Sequence, residues 1–564
     1  MSVVPSRRRA VALLVGLVAG AAAPARAVDL LDGAANVSGF VETRSAIWTQ
    51  SDPVKPLHIP GISDDPPDNR LAVARETLQL SFDYTPSPEL ELHGVLRGVW
   101  EPRYRIDAYA SDGSHFGHNV LDRNFYDEPP SWGEPVRELW AQWSPSPSHS
   151  IRVGRQIVNW GESLAFRVAD VINPNDSRFN LFFLDPQDSR IPQWMVQGIH
   201  QFLDLPGSPS FEWIVLPPLD PERRRVNDFA PTGARWAIPP ETRQTRYPAL
   251  QTAPGQPALW TVQRAVLNAR AAGAPGGAVD FRFLDDSKKA FPQETSLGGR
   301  LRFSIGDLNL ALFDWYGYEL QPVVKDLGLS SLTIADYRGV LGRPDLADVY
   351  TALGVPLAAQ GAVRLDRFRF LYPRQNVLGL TGNYYLSLLK AVTRFELVFR
   401  PEKLFQVDGF DRVTGAITNR EGLVHRDEVQ WQIALDFSGL YWPALNRESD
   451  FAFSVEYTQA IVPDPAPGMR AGVFETPLRQ VTDTLSVRGS TAYFYNCVQP
   501  SVTAIWQPEQ GAWAVVPAVG FSAPFDSNLT AELRYVAIGG ESPFDGLGLF
   551  QRKDFVMFSL RYGF

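Results

Sequence analysis

The chain has 564 residues, with 53 Lys+Arg against 62 Asp+Glu for a net charge of −9, one Cys, 44 Gly and 46 Pro. A hydrophobic content of 45% argues against intrinsic disorder, and an acidic balance without a Lys/Arg-rich tract argues against a nucleic-acid partner. Beyond the N-terminus there is no run of about 20 apolar residues that would span a bilayer as a helix, and the lone Cys497 cannot close an internal disulfide.

In chain order, the first feature is an export signal. Arg7, Arg8 and Arg9 precede an apolar stretch from Ala10 to Ala23, and Ala25-Arg26-Ala27 puts small residues where a signal peptidase reads them. Residues 1–27 are expected to be a cleaved signal peptide, and 28–564 the exported protein.

From residue 36 onward, segments of about 10 residues carry apolar side chains at every second position, as a strand does when one face lies in an apolar medium. In the last, Val556, Phe558, Leu560, Tyr562 and Phe564 alternate with Phe555, Met557, Ser559, Arg561 and Gly563. The sets Val429, Trp431, Ile433, Leu435, Phe437 and Leu529, Ala531, Leu533, Tyr535, Ala537 read the same way. About 18 strands are predicted, at 36–47, 75–84, 89–100, 136–144, 149–158, 194–204, 209–217, 295–305, 308–318, 376–387, 391–400, 427–437, 449–459, 483–496, 499–507, 511–521, 528–538 and 553–564.

The connections alternate between long ones (48–74, 101–135, 159–193, 218–294, 319–375, 401–426, 460–482) and short ones such as Thr85-Pro86-Ser87-Pro88, Pro145-Ser146-Pro147-Ser148 and Gly306-Asp307. Two break the rule: 438–448 is of medium length on the short side, and 508–510 is short on the long side. A β-sandwich has no reason to sort its loops by parity, whereas a transmembrane barrel has short turns on one side and long loops on the other. The expected fold is all-β: a transmembrane antiparallel β-barrel of about 18 strands (16–18), with long extracellular or luminal loops containing short helices. Helical candidates are Leu259 to Ala271 in the insertion 218–294, and Leu332 to Val340 and Leu346 to Leu353 in the insertion 319–375. Aromatic residues near strand ends, among them Trp48, Trp100, Trp140, Trp143, Trp213, Tyr384, Tyr441, Trp442, Trp506 and Trp513, suit interfacial girdles.

The alternating apolar ending Phe558, Leu560, Tyr562, Phe564 resembles the C-terminal signal by which bacterial outer-membrane barrels are recognised by their assembly machinery. The stretch Gly154-Arg155-Gln156-Ile157-Val158-Asn159-Trp160-Gly161-Glu162-Ser163, with Asp170-Val171-Ile172-Asn173-Pro174, Ile191-Pro192-Gln193-Trp194-Met195 and Tyr372-Pro373, is similar to the proteobacterial outer-membrane family known as domain of unknown function 1302. The resemblance implies transport of hydrophobic or lipid-like compounds beside an inner-membrane transporter of the resistance-nodulation-division type and an outer-membrane lipoprotein. After Ser163 the sequence Leu164-Ala165-Phe166-Arg167-Val168-Ala169 departs from the family pattern, so the substrate does not carry over.

Arg155, Gln156, Trp160, Glu162, Arg167, Asp170, Asn173, Asp176 and Arg178 are concentrated where a strand leaves the membrane. Charges facing lipid there cost several kcal/mol, so these groups are expected to point into the lumen and pair. They would either line a constriction that contacts solute, or, through an Arg155–Glu162 salt bridge, pin an infolded loop to the wall. Asn173-Pro174-Asn175-Asp176 reads as a turn with self-capping side chains.

No catalytic residues are assigned. There is no G-x-S-x-G elbow, and His93, His149 and His200 have no adjacent serine and acid partner. His115 and His118, three apart in a glycine-rich loop, could ligate a metal only with a third ligand, the other histidines are scattered, and no spacing around Asp64, Asp65 and Asp68 resembles a calcium loop, so neither metal nor cofactor is expected.

The reading is an outer-membrane channel of a Gram-negative bacterium for amphipathic small molecules, narrowed by its own loops and lined by coupled apolar and polar surfaces. Its partners would be membrane lipid, the barrel-assembly machinery, and the lipoprotein and inner-membrane transporter. A general porin for small hydrophilic solutes and an exported soluble β-sandwich, carbohydrate-binding or hydrolytic, are the alternatives.

Overall fold

The computed structural model describes residues 28–31, 33–49, 71–100, 136–163, 166–175, 189–218, 294–320, 323–326, 368–407, 419, 422–471, 476–541, 546–551 and 553–564. The expected signal peptide, the three helical candidates, Asp64, Asp65, Asp68, His115, His118, Asp176 and Arg178 lie outside them.

Eighteen strands close one antiparallel sheet into a cylinder. They are β1 (Ala35–Trp48), β2 (Leu71–Ser87), β3 (Leu90–Trp100), β4 (Val136–Ser146), β5 (His149–Gln156), β6 (Gln193–Gln201), β7 (Ser210–Leu216), β8 (Ser296–Ile305) and β9 (Leu308–Tyr318). The second half comprises β10 (Arg374–Leu386), β11 (Ala391–Val407), β12 (Leu423–Leu440), β13 (Phe451–Ile461), β14 (Val481–Ser490), β15 (Val498–Gln507), β16 (Ala512–Ala523), β17 (Asp526–Gly540) and β18 (Phe555–Gly563). Each pairs with its sequence neighbours, and β18 returns to β1 in register from Phe40 opposite Gly563 to Trp48 opposite Phe555. Short strands Val28–Leu30, Met469–Ala471 and Thr476–Pro477 extend the sheet locally.

Closure pairs each of the eighteen strands on both sides, the condition for a sheet to sit in hydrocarbon. On strand after strand the outward positions carry exposed apolar side chains: Val41 and Ile47, Leu78 and Phe82, Leu297 and Leu301, Leu397, Ile433, Leu533, Phe558. Apolar exposure on this scale suits lipid and not water. At the seam, the Phe564 N–H donates to Gly39 O at 2.9 Å and Gly39 N–H donates to Phe564 O at 2.7 Å. The Phe564 ring lies where a Cβ on Gly39 would stand, within 2.9 Å of that position.

The girdle expectation holds for Trp143, Tyr384, Tyr441, Trp442, Trp506 and Trp513, which are exposed. It fails for Trp48 and Trp140, whose parity turns them inward. Trp48 packs edge-on against Phe555 at 5.8 Å between ring centroids, and Trp140 stacks on His93 at 4.8 Å with the Arg152 guanidinium 4.0 Å from its centroid.

The inner wall has two characters. Across β1, β2 and β15–β18, Ala46, Val73, Ile505, Ala514, Val536, Ile538 and Met557 form an apolar cluster, into which the short 3₁₀ turn Gly546–Phe550 inserts Leu547, Leu549 and Phe550. Across β7, β8, β11, β12 and β13 the buried inner residues include Glu212, Arg300, Arg394, Glu396, Arg400, Glu428 and Glu456. Between these two surfaces lies the chain that links β5 to β6.

Candidate functional site

The linker leaves β5 at Gln156 and runs through the described residues 157–163 and 166–175. Its contacts reach β7, β8, β11 and β13, as well as the apolar cluster on β15–β18, where Phe166 packs. A segment anchored at β5 and β6 reaches walls this far around the sheet only by crossing the lumen.

Its root is held by side chains the sequence singled out. Arg155 Nη1 donates to Val136 O at 3.1 Å and its Nε to Pro192 O at 3.4 Å. Gln156 Nε2 donates to Met195 O at 3.3 Å. Asn173 is fully buried: its Nδ2 donates to Gln156 O (3.2 Å) and Ile191 O (3.0 Å), while its Oδ1 accepts the Val158 N–H at 2.8 Å. Asn173 therefore ties the linker's two ends together instead of capping its own turn, because burial leaves its amide no water to bond.

Trp160 is the anchor on the near wall. Only 1% exposed, it packs against Phe313 at 5.3 Å and edge-on to Trp315 at 6.0 Å between centroids. Its Nε1 donates to Glu212 Oε1 at 3.0 Å. Glu212 has no exposed surface, and it also accepts Gln197 Nε2 at 2.8 Å and Arg300 Nε and Nη2 at 3.1 and 2.7 Å. A carboxylate this deep persists charged only when so fully paired. The notch for the indole exists because residue 298 is glycine: a Cβ there would lie 2.5 Å from the Trp315 ring and 2.8 Å from that of Trp160.

On the far wall, acidic side chains receive the linker's backbone. Glu396 on β11 accepts the N–H groups of Glu162, of Ser163 (2.7 Å) and, at its other oxygen, of Ala169 (2.7 Å). Glu456 on β13 accepts the Ser163 hydroxyl at 2.6 Å and the Phe166 N–H at 3.2 Å. Arg394 donates to the Glu162 carbonyl and forms a two-pronged pair with Asp436 (2.5 and 3.0 Å), and Arg400 Nη2 donates to Val168 O at 3.2 Å. The Glu162 carboxylate reaches Asn383 on β10 at 3.4 Å. The pinning anticipated between Arg155 and Glu162 thus takes a different form: Arg155 serves the near wall's carbonyls, and Glu162 is carried to the opposite one.

Within the linker, Asp170 accepts Arg167 Nε at 3.0 Å and Arg190 Nε at 2.8 Å, and Arg167 also donates to the carbonyls of Asp170 (2.9 Å) and Asn173. Burial pulls the Arg167 guanidinium below its ordinary value, opposed by the Asp170 carboxylate; arginine remains charged at neutral pH regardless. Arg155, Gln156, Trp160, Glu162, Arg167, Asp170 and Asn173 are therefore gathered in and around one luminal segment, with Asp176 and Arg178 outside the described residues.

The sequence reading missed the wall partners Glu212, Arg300, Arg394, Glu396 and Glu456. Their signal was present as charge at alternate positions of otherwise apolar strands, such as Arg394, Glu396 and Arg400 along β11.

No curated protein matches the chain. Among solved structures, it is similar to Pseudomonas aeruginosa OccK11 (OpdR), at a TM-score of 0.39 and 10% identity over 94% of this chain and 95% of that one. It is also similar to Pseudomonas aeruginosa OccK3 (OpdO), at 0.40 and 9% over 95% and 97%, and to OccK1 (OpdK) of the same organism, at 0.40 and 8% over 95% and 100%. Residues 113–206, which contain β4 to β6 and the described linker residues 157–163 and 166–175, match the model of the family described as Protein of unknown function (DUF1302), the family that the motif around Trp160 resembles.

Proposed function

We propose that this chain is an outer-membrane channel of a Gram-negative bacterium that lets amphipathic small molecules through a lumen narrowed by the 157–175 linker. The observation that carries the reading is the position of that linker, between a charged inner wall and an apolar one. A solute with a polar head and a greasy body meets a complementary surface on each side, so it sheds water in stages instead of all at once. The channel itself supplies no energy. The resemblance to the family supports pairing with an inner-membrane transporter of the resistance-nodulation-division type and an outer-membrane lipoprotein. Residues 1–27 act as the signal peptide in this reading.

Purified protein in planar bilayers tests it. Small, fluctuating conductance with uptake of amphipathic dyes into proteoliposomes is expected. A large, steady conductance that passes sugars as readily as amphiphiles would establish a general porin instead, and the absence of both conductance and uptake would overturn the channel.

A further inference from the structure

Between the linker and the outer ends of β9, β10 and β11 lies a cavity of about 280 Å³, close to the lower limit of small-molecule sites. We propose that it is a binding subsite for a small amphipathic carboxylate; the assignment rests on the channel reading and names the cargo's chemical class.

Charge is the first argument. Glu428 in its wall accepts both Arg400 Nη1 at 3.2 Å and Lys403 Nζ at 2.9 Å, and Asp170 is likewise shared by Arg167 and Arg190. With Arg470 and Glu319 also on the wall, the cations Arg167, Arg400, Lys403 and Arg470 line the cavity beside the carboxylates Asp170, Glu319 and Glu428 among the described residues. The described lining thus offers guanidinium and ammonium groups in a space largely withdrawn from water, where an anionic group finds charged partners.

The second argument is hydrogen bonding. Among the described residues, the buried Trp315 Nε1 and both amide atoms of the buried Gln406 lack a partner, and each belongs to a side chain lining the cavity. Buried polar atoms are costly when unpaired, so the donors Trp315 Nε1 and Gln406 Nε2 are in place for a carboxylate's oxygens, while Gln406 Oε1 can accept from a ligand hydroxyl. Asp170 Oδ1 and Glu319 Oε1 are unpaired acceptors on the same wall, suited to a hydroxyl on the ligand. Val377, Leu404 and Phe405 supply the apolar remainder.

The third argument is backbone geometry. Residues three apart on a regular strand face opposite sides. The β11–β12 register shifts between Arg400 and Lys403, and Glu402 adopts a φ of 48°. The bulge turns Lys403 to the side of Arg400, so that both meet Glu428, at the cost of placing a non-glycine residue in the left-handed region.

Titration of the detergent-solubilised full chain with octanoate, octanol and octylamine, followed by calorimetry, tests the assignment. Octanoate is expected to bind at least tenfold more tightly than octanol, with octylamine weakest. Lys403→Met should weaken octanoate about tenfold or more, Lys403→Arg should restore it, and Trp315→Phe, which keeps the ring but loses the donor, should weaken it several-fold. Heat-modifiable gel mobility checks that each variant is folded. Equal binding of octanoate and octanol, or a folded Lys403→Met with undiminished octanoate affinity, would overturn the subsite. Wild-type protein that conducts in bilayers but binds no octanoate refutes the subsite and leaves the channel standing; protein that binds octanoate without conducting does the reverse.

Discussion

The carboxylate of Glu396, on the inner wall of β11, accepts the backbone N–H of Ala169 at 2.7 Å, although the two residues are separated by 227 positions in the chain. The same side chain takes the N–H groups of Glu162 and Ser163, so one acidic residue satisfies three backbone donors of a segment that has no secondary structure to satisfy them itself.

Glu396→Ala should therefore free the linker from its far wall. Three backbone donors, of which that of Ala169 is buried, lose their acceptor, which loosens the segment by about 2–4 kcal/mol. Higher mean conductance in planar bilayers and faster proteolysis within 159–173 are expected, and a conductance indistinguishable from wild type would mean that the linker does not restrict the lumen.

Trp160 tests the near wall. Trp160→Phe retains the packing on Phe313 and Trp315 but loses the bond to Glu212, for an expected cost of about 1–3 kcal/mol. Trp160→Ala also leaves a cavity and should cost about 3–5 kcal/mol. The temperature at which the folded band disappears on gels should fall in that order.

Adjacent glycines give a paired test of which face is the lumen. Gly298→Ala puts a methyl into the Trp160 and Trp315 rings and should mimic loss of the indole anchor. Gly299→Ala points outward, where the nearest atom, on the Phe211 ring, is 3.3 Å from the new Cβ, and should be nearly silent by the same gel assay. Equal sensitivity at both positions would contradict the assignment of faces.

Phe564→Ala removes the ring that covers Gly39 at the seam. Less folded protein in the envelope and more of the unfolded form are expected, read as the ratio of heat-modifiable to unmodified band; an unchanged ratio would show that assembly does not use this side chain.

The eighteen strands were legible because lipid demands an apolar side chain at every second position, a period that shows most sharply where the inner face is polar and is bounded by turn residues where it is not. Legibility failed where that period breaks. β11 was read to residue 400 yet runs to Val407, because the bulge at Glu402 shifts the parity and makes the rest resemble a loop. β14 was read to residue 496 but ends at Ser490; Phe494, Tyr495 and Asn496 all have positive φ in a turn, and their aromatic run imitated a strand. The candidate site was half visible. A motif marked Trp160, Glu162 and Asn173, but which wall each would meet depends on strands hundreds of residues away, and local spacing carries no record of that.

β1 and β18 lie side by side, and on the rim of that seam every second connection in the ring is a turn or a loop of at most ten residues. The order in which the polypeptide visits the strands is thus separable from the shape it builds. A permuted chain, with the old ends fused by a few flexible residues and new ends opened at Gly306-Asp307, should refold in detergent to the same cylinder, while its assembly in the envelope should suffer because Phe564 no longer ends the chain.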